Sequence, residues 1–271
     1  MDLQFTTESL AGLITEGALM IIIPIVLLII WKIKTHENIL PVVIGAATWF
    51  VFAIILKIAP AYFLLQADNP VAKTISGNVW LSYILAGVLA GVFEETGRFL
   101  AFKFVLKKYK DRRSAISYGI GHGGFESAYV GFQMFSLAVL GILINAGLSN
   151  LIVKGADETT LATVTAQLSP YTNLSFGICM LGVFERLPAI AAHISFSVLV
   201  FAAAREKRFV PLFPVAIFLH AVFDFSIVFY AAGFVPVWAL ELILAAVAAA
   251  LVFFASVIYK KLRKDEPVSE Q

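Results

Sequence analysis

Seven apolar segments, each about 20 residues or longer, constrain the fold of this chain most strongly. They lie at residues 10–31, 40–59, 80–106, 114–147, 175–204, 210–232 and 236–259 and are called spans 1 to 7 in that order. About 20 apolar residues in a helix cross the hydrocarbon core of a bilayer. Helices also satisfy their own backbone hydrogen bonds in lipid. The sequence therefore predicts an all-α fold, a polytopic membrane helix bundle of about seven transmembrane helices.

The composition supports one membrane domain without a second, soluble domain. The chain is 60% hydrophobic, which is far above the share of a soluble domain. The polar segments between the spans are too short for a second domain, so residues 1–271 are predicted to form a single membrane domain. The single cysteine, Cys179, excludes an internal disulfide and a thiolate metal cluster. The loops at 60–79 and 148–174 are the longest, and short helices are expected in them.

The basic residues are distributed unequally between the two ends of the spans. One side carries Lys32, Lys34, Lys103, Lys107, Lys108, Lys110, Arg112, Arg113, Arg205, Lys207, Arg208, Lys260, Lys261, Arg263 and Lys264. The other side carries only Lys57, Lys73 and Lys154. Positively charged loops stay in the cytoplasm. The sequence therefore predicts the N-terminus outside and the C-terminus inside, in a multi-pass protein of the bacterial cytoplasmic (inner) membrane.

Ionisable clusters interrupt four of the apolar segments. They are Glu94-Glu95-x-x-Arg98 in span 3, His122-x-x-x-Glu126 in span 4, His193 in span 5 and His220-x-x-x-Asp224 in span 6. Such groups are costly in hydrocarbon and are retained there with a partner or a task. Residues three or four apart share one face of a helix, so each cluster has a common direction.

These clusters are predicted to meet at one depth in the membrane. A helix rises about 1.5 Å per residue, which puts all eight side chains roughly 12–21 Å from the cytoplasmic edge. Gly119 and Gly123 form a small-xxx-small step that admits a neighbouring helix, and we expect it to bring the span 3 glutamates against span 4. The alternative is a set of structural ion pairs and packed histidines without chemistry.

The residue types in this layer suit hydrolysis of an acyl bond. Imidazole and carboxylate groups bind divalent metals such as zinc, with a position left for water. His122, His193 and His220 are the candidate metal ligands. A buried glutamate could instead activate water directly, with histidines stabilising the oxyanion. The candidate acid, base and positioning groups are Glu94, Glu95, Arg98, Glu126 and Asp224.

The motifs also resemble a known protease group. Glu94-Glu95-Thr-Gly-Arg98, Tyr118-x-x-x-His122 and His220-x-x-x-Asp224 are similar to the three motifs of the CAAX-protease and bacteriocin-processing superfamily. His122-Gly-Gly-Phe-Glu126 and Glu185-Arg-Leu-Pro…His193 fit its YhfC branch of intramembrane metalloproteases, related to the PrsW group. The resemblance covers about residues 80–230. It implies that Glu94 activates the water and that His122 and His220 bind metal or stabilise the oxyanion.

Two features depart from the superfamily pattern. Two residues, rather than three, separate the paired glutamates from Arg98, and Glu126 and His193 are additional groups. The leading hypothesis is an intramembrane endopeptidase that cuts a membrane protein or a lipidated peptide. It would bind a divalent metal, with zinc expected, and no nucleic acid. The alternative is a proton- or ion-coupled transporter that uses the same Glu/His/Asp layer.

Overall fold

The predicted helical class is confirmed. The computed structural model describes residues 3–149, 154–155 and 157–262, and all regular structure in these ranges is helical. Within these ranges seven helices are long and apolar enough to cross a membrane, in agreement with the predicted number. Spans 1 to 7 are Thr7–Thr35, Leu40–Leu65, Val79–Val105, Arg113–Asn145, Phe176–Arg205, Lys207–Ala231 and Val237–Lys261.

Among the described residues of the two longest loops, short α-helices lie at Pro70–Ser76 and Glu158–Leu168, where they were expected. Polar residues determine where these helices begin. The Asn69 side chain accepts a hydrogen bond from Ala72 N, and the Asp157 side chain accepts one from Thr160 N. Each supplies a partner for a first-turn N–H that the helix itself leaves unpaired.

Spans 2 and 3 contain π-helical turns. In span 2 the α-helix Leu40–Trp49 continues as a π-helix at Phe50–Leu56 and returns to α at Lys57–Leu65. In span 3 the helix Val79–Leu100 ends in a π-helix at Ala101–Val105. Such turns insert a residue into the helical repeat and are frequent at functional sites. The α-helical segment of span 2 that follows the π-helix begins at Lys57.

Contacts divide the chain into two compact units. The first comprises Met1–Ile25 and Ser127–Arg186, and the second comprises Val26–Glu126 and Leu187–Gln271. The prediction that residues 1–271 form a single membrane domain stays a prediction.

The first unit is held together by an apolar cluster and by side-chain to backbone hydrogen bonds. Its buried apolar residues are Phe5, Leu13, Ala138, Ile144 and Leu168. The Asn145 side chain accepts from Phe5 N at 2.9 Å and donates to Phe5 O at 2.8 Å. The Ser127 hydroxyl donates to Met20 O at 2.7 Å. These bonds pair buried backbone groups where apolar packing alone would leave them without partners.

The core of the second unit surrounds the C-terminal half of span 5. Phe196, Leu199 and Phe201 are fully buried there. The Phe102 ring of span 3 packs against Phe201, with ring centroids 5.2 Å apart. At the end of span 5 the Arg205 guanidinium donates to the carbonyl oxygens of Leu106 and Tyr109, at 2.6 and 3.0 Å. This contact ties the ends of spans 3 and 5 together.

Glycines let the helices of the second unit approach closely. A Cβ on Gly91 of span 3 would lie 2.5 Å from Ile217 O of span 6. A Cβ on Gly123 of span 4 would lie 2.9 Å from His193 Cβ of span 5. The helix against Gly119 and Gly123 is therefore span 5, not span 3 as expected. In span 3, Gly87 and Gly91 lie against span 6, while Gly97 lies against Phe52 of span 2.

We expect Gly91→Ala to lower the free energy of unfolding by about 1–3 kcal/mol, because the new methyl group overpacks a backbone contact. Gly177→Ala is the matched control, since a Cβ at this position would lie 4.0 Å from Ser175 Oγ, an ordinary van der Waals distance. Alanine favours a helix over glycine, so the control should be neutral or gain up to about 1 kcal/mol. Circular dichroism of unfolding in detergent measures both. Equal stability of the two variants would contradict the packing described here.

Candidate active site

Eight ionisable side chains from four helices come together in the second unit. They are Glu94, Glu95 and Arg98 of span 3, His122 and Glu126 of span 4, His193 of span 5, and His220 and Asp224 of span 6. Glu95, Arg98 and His122 have no exposed surface, and Glu94, His193 and His220 are also buried. The Glu126 and Asp224 side chains keep 21% and 36% of their surface exposed. One part of the cluster is therefore fully buried, while the part that contains Glu126 and Asp224 is more exposed.

Glu94 lies between the histidines and a lysine. Its Oε2 atom is 3.2 Å from His122 Nε2 and 4.0 Å from His220 Nε2. Its Oε1 atom is 3.5 Å from Lys57 Nζ of span 2. The two oxygens of one carboxylate thus have different environments, one facing imidazoles and the other facing an ammonium group.

Glu95 holds His220 and Arg98. Its Oε1 atom lies 2.7 Å from His220 Nδ1 and 3.5 Å from Arg98 Nη1. An ionised carboxylate only accepts hydrogen bonds, so the proton of this contact lies on His220 Nδ1. The other ring nitrogen, Nε2, lies 3.7 Å from Asp224 Oδ2. Phe196 fixes the ring plane by stacking on His220 at 4.9 Å and 9°.

Arg98 extends from Glu95 to span 5. It donates from Nη1 to His193 O at 3.0 Å, and its Nη2 atom lies 3.3 Å from His193 Nδ1. The other nitrogen of that ring, Nε2, lies 2.6 Å from Glu126 Oε2. His193 therefore has a polar partner at both ring nitrogens, which sets the direction of its ring.

The three intramembrane histidines are neighbours. The His122 and His193 ring centroids are 5.0 Å apart, and those of His193 and His220 are 5.3 Å apart. The chain has four histidines, and the fourth, His36, is exposed after span 1. Sequence-distant imidazoles have thus been gathered in one place, which is a common arrangement around a metal.

Glu94, His122 and His193 fit a divalent metal. Each offers one ligand atom, and the three atoms lie within 4.8 Å of one another. Two histidines and one glutamate form a known catalytic zinc set, with bonds of about 2.0–2.2 Å. His122 Nδ1 is buried and has no hydrogen-bond partner among the described residues. His220 falls outside this three-residue group and faces carboxylates instead.

The cluster is also rich in carboxylates. Glu94 and Glu95 contact Lys57 and Arg98, while Glu126 and Asp224 contact His193 and His220. Carboxylates are costly in the low dielectric of a membrane interior, and a divalent metal would stabilise them there.

Lys57 is the functional-site residue that sequence reasoning misplaced. The predicted span 2 ends at residue 59, and Lys57 is counted there with the basic residues of the outer side. Span 2 in fact continues to Leu65, with Pro60 inside the helix. Proline is tolerated in membrane helices because neighbouring groups satisfy the backbone that it frees. The apolar residues 61–65 were the signal that could have placed Lys57 within the span.

Comparisons with known proteins agree with these observations. A sequence model of the family described as "YhfC intramembrane metalloprotease" matches residues 19–244. The chain is also 33% identical over 251 residues to "Uncharacterized membrane protein YhfC" of Bacillus subtilis (strain 168), covering 91% of this chain and 95% of that protein. No solved structure matches. The relation to the CAAX-protease and PrsW groups stays a prediction. The chain is thus a multi-pass integral membrane protein that belongs to the YhfC family.

Proposed function

We propose that this protein is an intramembrane endopeptidase that hydrolyses a peptide bond with the help of a divalent metal, zinc in the first instance. The observation that carries the proposal is the convergence of three histidines and four carboxylates in one cluster within membrane-spanning helices. The family's description as metalloproteases supports it. That description does not favour the transporter alternative.

The metal would be held by Glu94, His122 and His193. A metal bound there would act as a Lewis acid toward water and toward the peptide carbonyl group. The ion would replace one of the two polar partners of the His193 ring, Glu126 or Arg98. Both are positioning residues in this account.

Asp224 is suited to accept the proton of the attacking water, because it is the most exposed carboxylate of the cluster. The water oxygen forms a bond to the carbonyl carbon, and its proton passes to the Asp224 carboxylate. The π-electron pair of the carbonyl group moves onto its oxygen. The leaving amine must then receive a proton before the C–N bond breaks.

His220 and Asp224 form the route for that proton. Glu95 keeps the proton of His220 on Nδ1, so Nε2 faces Asp224 and can exchange a proton with it. The pair then delivers the proton to the amide nitrogen, the oxyanion electron pair re-forms the C=O bond, and the C–N bond breaks. The products are a carboxylic acid and an amine, and Glu95 serves as the residue that orients His220.

The substrate in this proposal is a membrane protein or a lipidated peptide that reaches the cluster through the bilayer. The unequal distribution of basic residues supports a position in the bacterial cytoplasmic membrane with the N-terminus outside. The cluster would then lie in the cytoplasmic half of the protein, and cleavage would occur there.

A metal-free route is the second candidate. It is favoured by the position of Glu94 Oε2, which faces His122 and His220 together. In that route Glu94 would take the proton from water, and the two histidines would stabilise the oxyanion. The peptide bond and the products are the same, so the routes differ in metal content and in the role of Glu94.

Replacement of Glu94 or His122 should abolish proteolysis. We expect Glu94→Gln and His122→Ala to lower kcat/KM by about 1,000-fold or more. Loss of one member of a catalytic group costs nearly as much activity as loss of the whole group. The probes are fluorescent casein in detergent and a panel of single-span reporter proteins in cells. His36→Ala is the control, since His36 is exposed and lies outside the cluster. Undiminished cleavage by both cluster variants would refute the proposed site.

Glu95→Gln should reduce kcat more than it raises KM. The loss should be about 10–100-fold, the usual effect of removing a residue that orients a reacting imidazole. The amide can present an N–H group to His220 Nδ1 and so no longer fixes which nitrogen carries the proton. Glu158→Gln, at an exposed carboxylate, is the control. A kcat equal to that of the wild type would show that Glu95 does not orient His220.

A further inference from the structure

Lys57 is a charged residue of span 2 whose partner is in the proposed active site. Its Nζ atom lies 3.5 Å from Glu94 Oε1, and 25% of its side-chain surface is exposed. Ala53, one turn earlier, is buried, so Lys57 follows the inward face of the helix. The close contact of spans 2 and 3 at Gly97, where a Cβ would lie 2.6 Å from the Phe52 ring, keeps this face against Glu94.

Pairing with Glu94 does not use all of the hydrogen-bonding capacity of Lys57. An ammonium group has three N–H donors, and a single oxygen of Glu94 faces it. A lysine inside a membrane-spanning helix is costly and is rarely retained there without a partner or a task. Lys57 therefore places spare, partly accessible N–H donors and a positive charge beside the carboxylate that would hold the metal.

We propose that Lys57 is a catalytic residue that binds the carbonyl oxygen of the scissile peptide group and stabilises the oxyanion. This inference rests on the proposed hydrolytic function. When water adds to the carbonyl carbon, a full negative charge develops on the oxygen, and an ammonium N–H donor stabilises it more than the neutral carbonyl. The Lys57 protons stay on nitrogen throughout, because Asp224 and His220 carry the proton that is transferred.

The competing account gives Lys57 a structural role only. In that account the ammonium group neutralises Glu94 and holds its carboxylate toward His122, and removal of Lys57 would disturb metal binding. The two accounts therefore differ in what Lys57→Met affects. Loss of oxyanion stabilisation weakens binding of an anionic, tetrahedral analogue while the metal site persists. Loss of support for Glu94 weakens the metal site itself.

The test uses the full-length protein in detergent, loaded with Co²⁺, and a phosphinic peptide flanked by leucines. The phosphinic group is tetrahedral and anionic like the hydrolysis intermediate, so it binds as a transition-state analogue. The variants are Lys57→Met, Lys57→Arg and, as control, Lys73→Met, since Lys73 pairs with Asp68 on an exposed surface. Co²⁺ absorption reports the metal site, and titration calorimetry reports analogue affinity, so neither readout requires turnover.

We expect Lys57→Met to bind Co²⁺ at least as well as the wild type and the analogue about 100-fold more weakly, the scale of one oxyanion donor. Lys57→Arg should recover part of this loss, and Lys73→Met should match the wild type. Equal analogue affinity of Lys57→Met and wild type would overturn the inference and leave the proposed function intact. Loss of Co²⁺ binding in Lys57→Met would overturn it in favour of the structural account. A wild-type protein that binds Co²⁺ but not the analogue would contradict the proposed function and this inference together.

Discussion

Ionised carboxylates inside a bilayer are stabilised by polar groups in direct contact, because the low dielectric around them screens charge only weakly. The adjacent glutamates of span 3 meet this requirement in different ways. Glu94 contacts Lys57 and His122, while Glu95 contacts Arg98 and His220. Each partner is on another helix except Arg98, which is one turn away. The charges of span 3 thus determine which faces of spans 2, 4 and 6 must point inward.

Close helix packing makes these contacts possible. Hydrogen bonds and ion pairs of 2.6–3.5 Å between side chains of different helices need backbones that approach closely. Gly91 and Gly123 provide that approach at spans 6 and 5, and each lies within one turn of a cluster residue on its own helix. Small residues are the usual means of association between membrane helices, where apolar burial gives little driving force. Close glycine packing and the ion pairs therefore occur at the same height along these helices.

Much of this arrangement followed from the sequence. Span number, helical class and the eight polar residues of the layer are readable because intramembrane charges stand out against apolar runs. Which of these side chains contact one another could not be predicted from the sequence. Whether His122 or His220 faces Glu94 most closely depends on helix rotation by tens of degrees, which a 3.6-residue repeat does not fix between helices. The contact of Lys57 with Glu94 could not be predicted for a related reason, since span 2 continues through Pro60 and its π-helix at Phe50–Leu56 alters the helical repeat.

Binding of a divalent metal by Glu94, His122 and His193 can be measured as the metal content of the purified protein. Elemental mass spectrometry of protein purified without chelators should find about one zinc, or an equivalent divalent ion, per chain. A His122→Ala/His193→Ala double variant of equal helicity should lose it. A wild-type preparation that cleaves the probes without stoichiometric metal would contradict the account and support direct activation of water by Glu94.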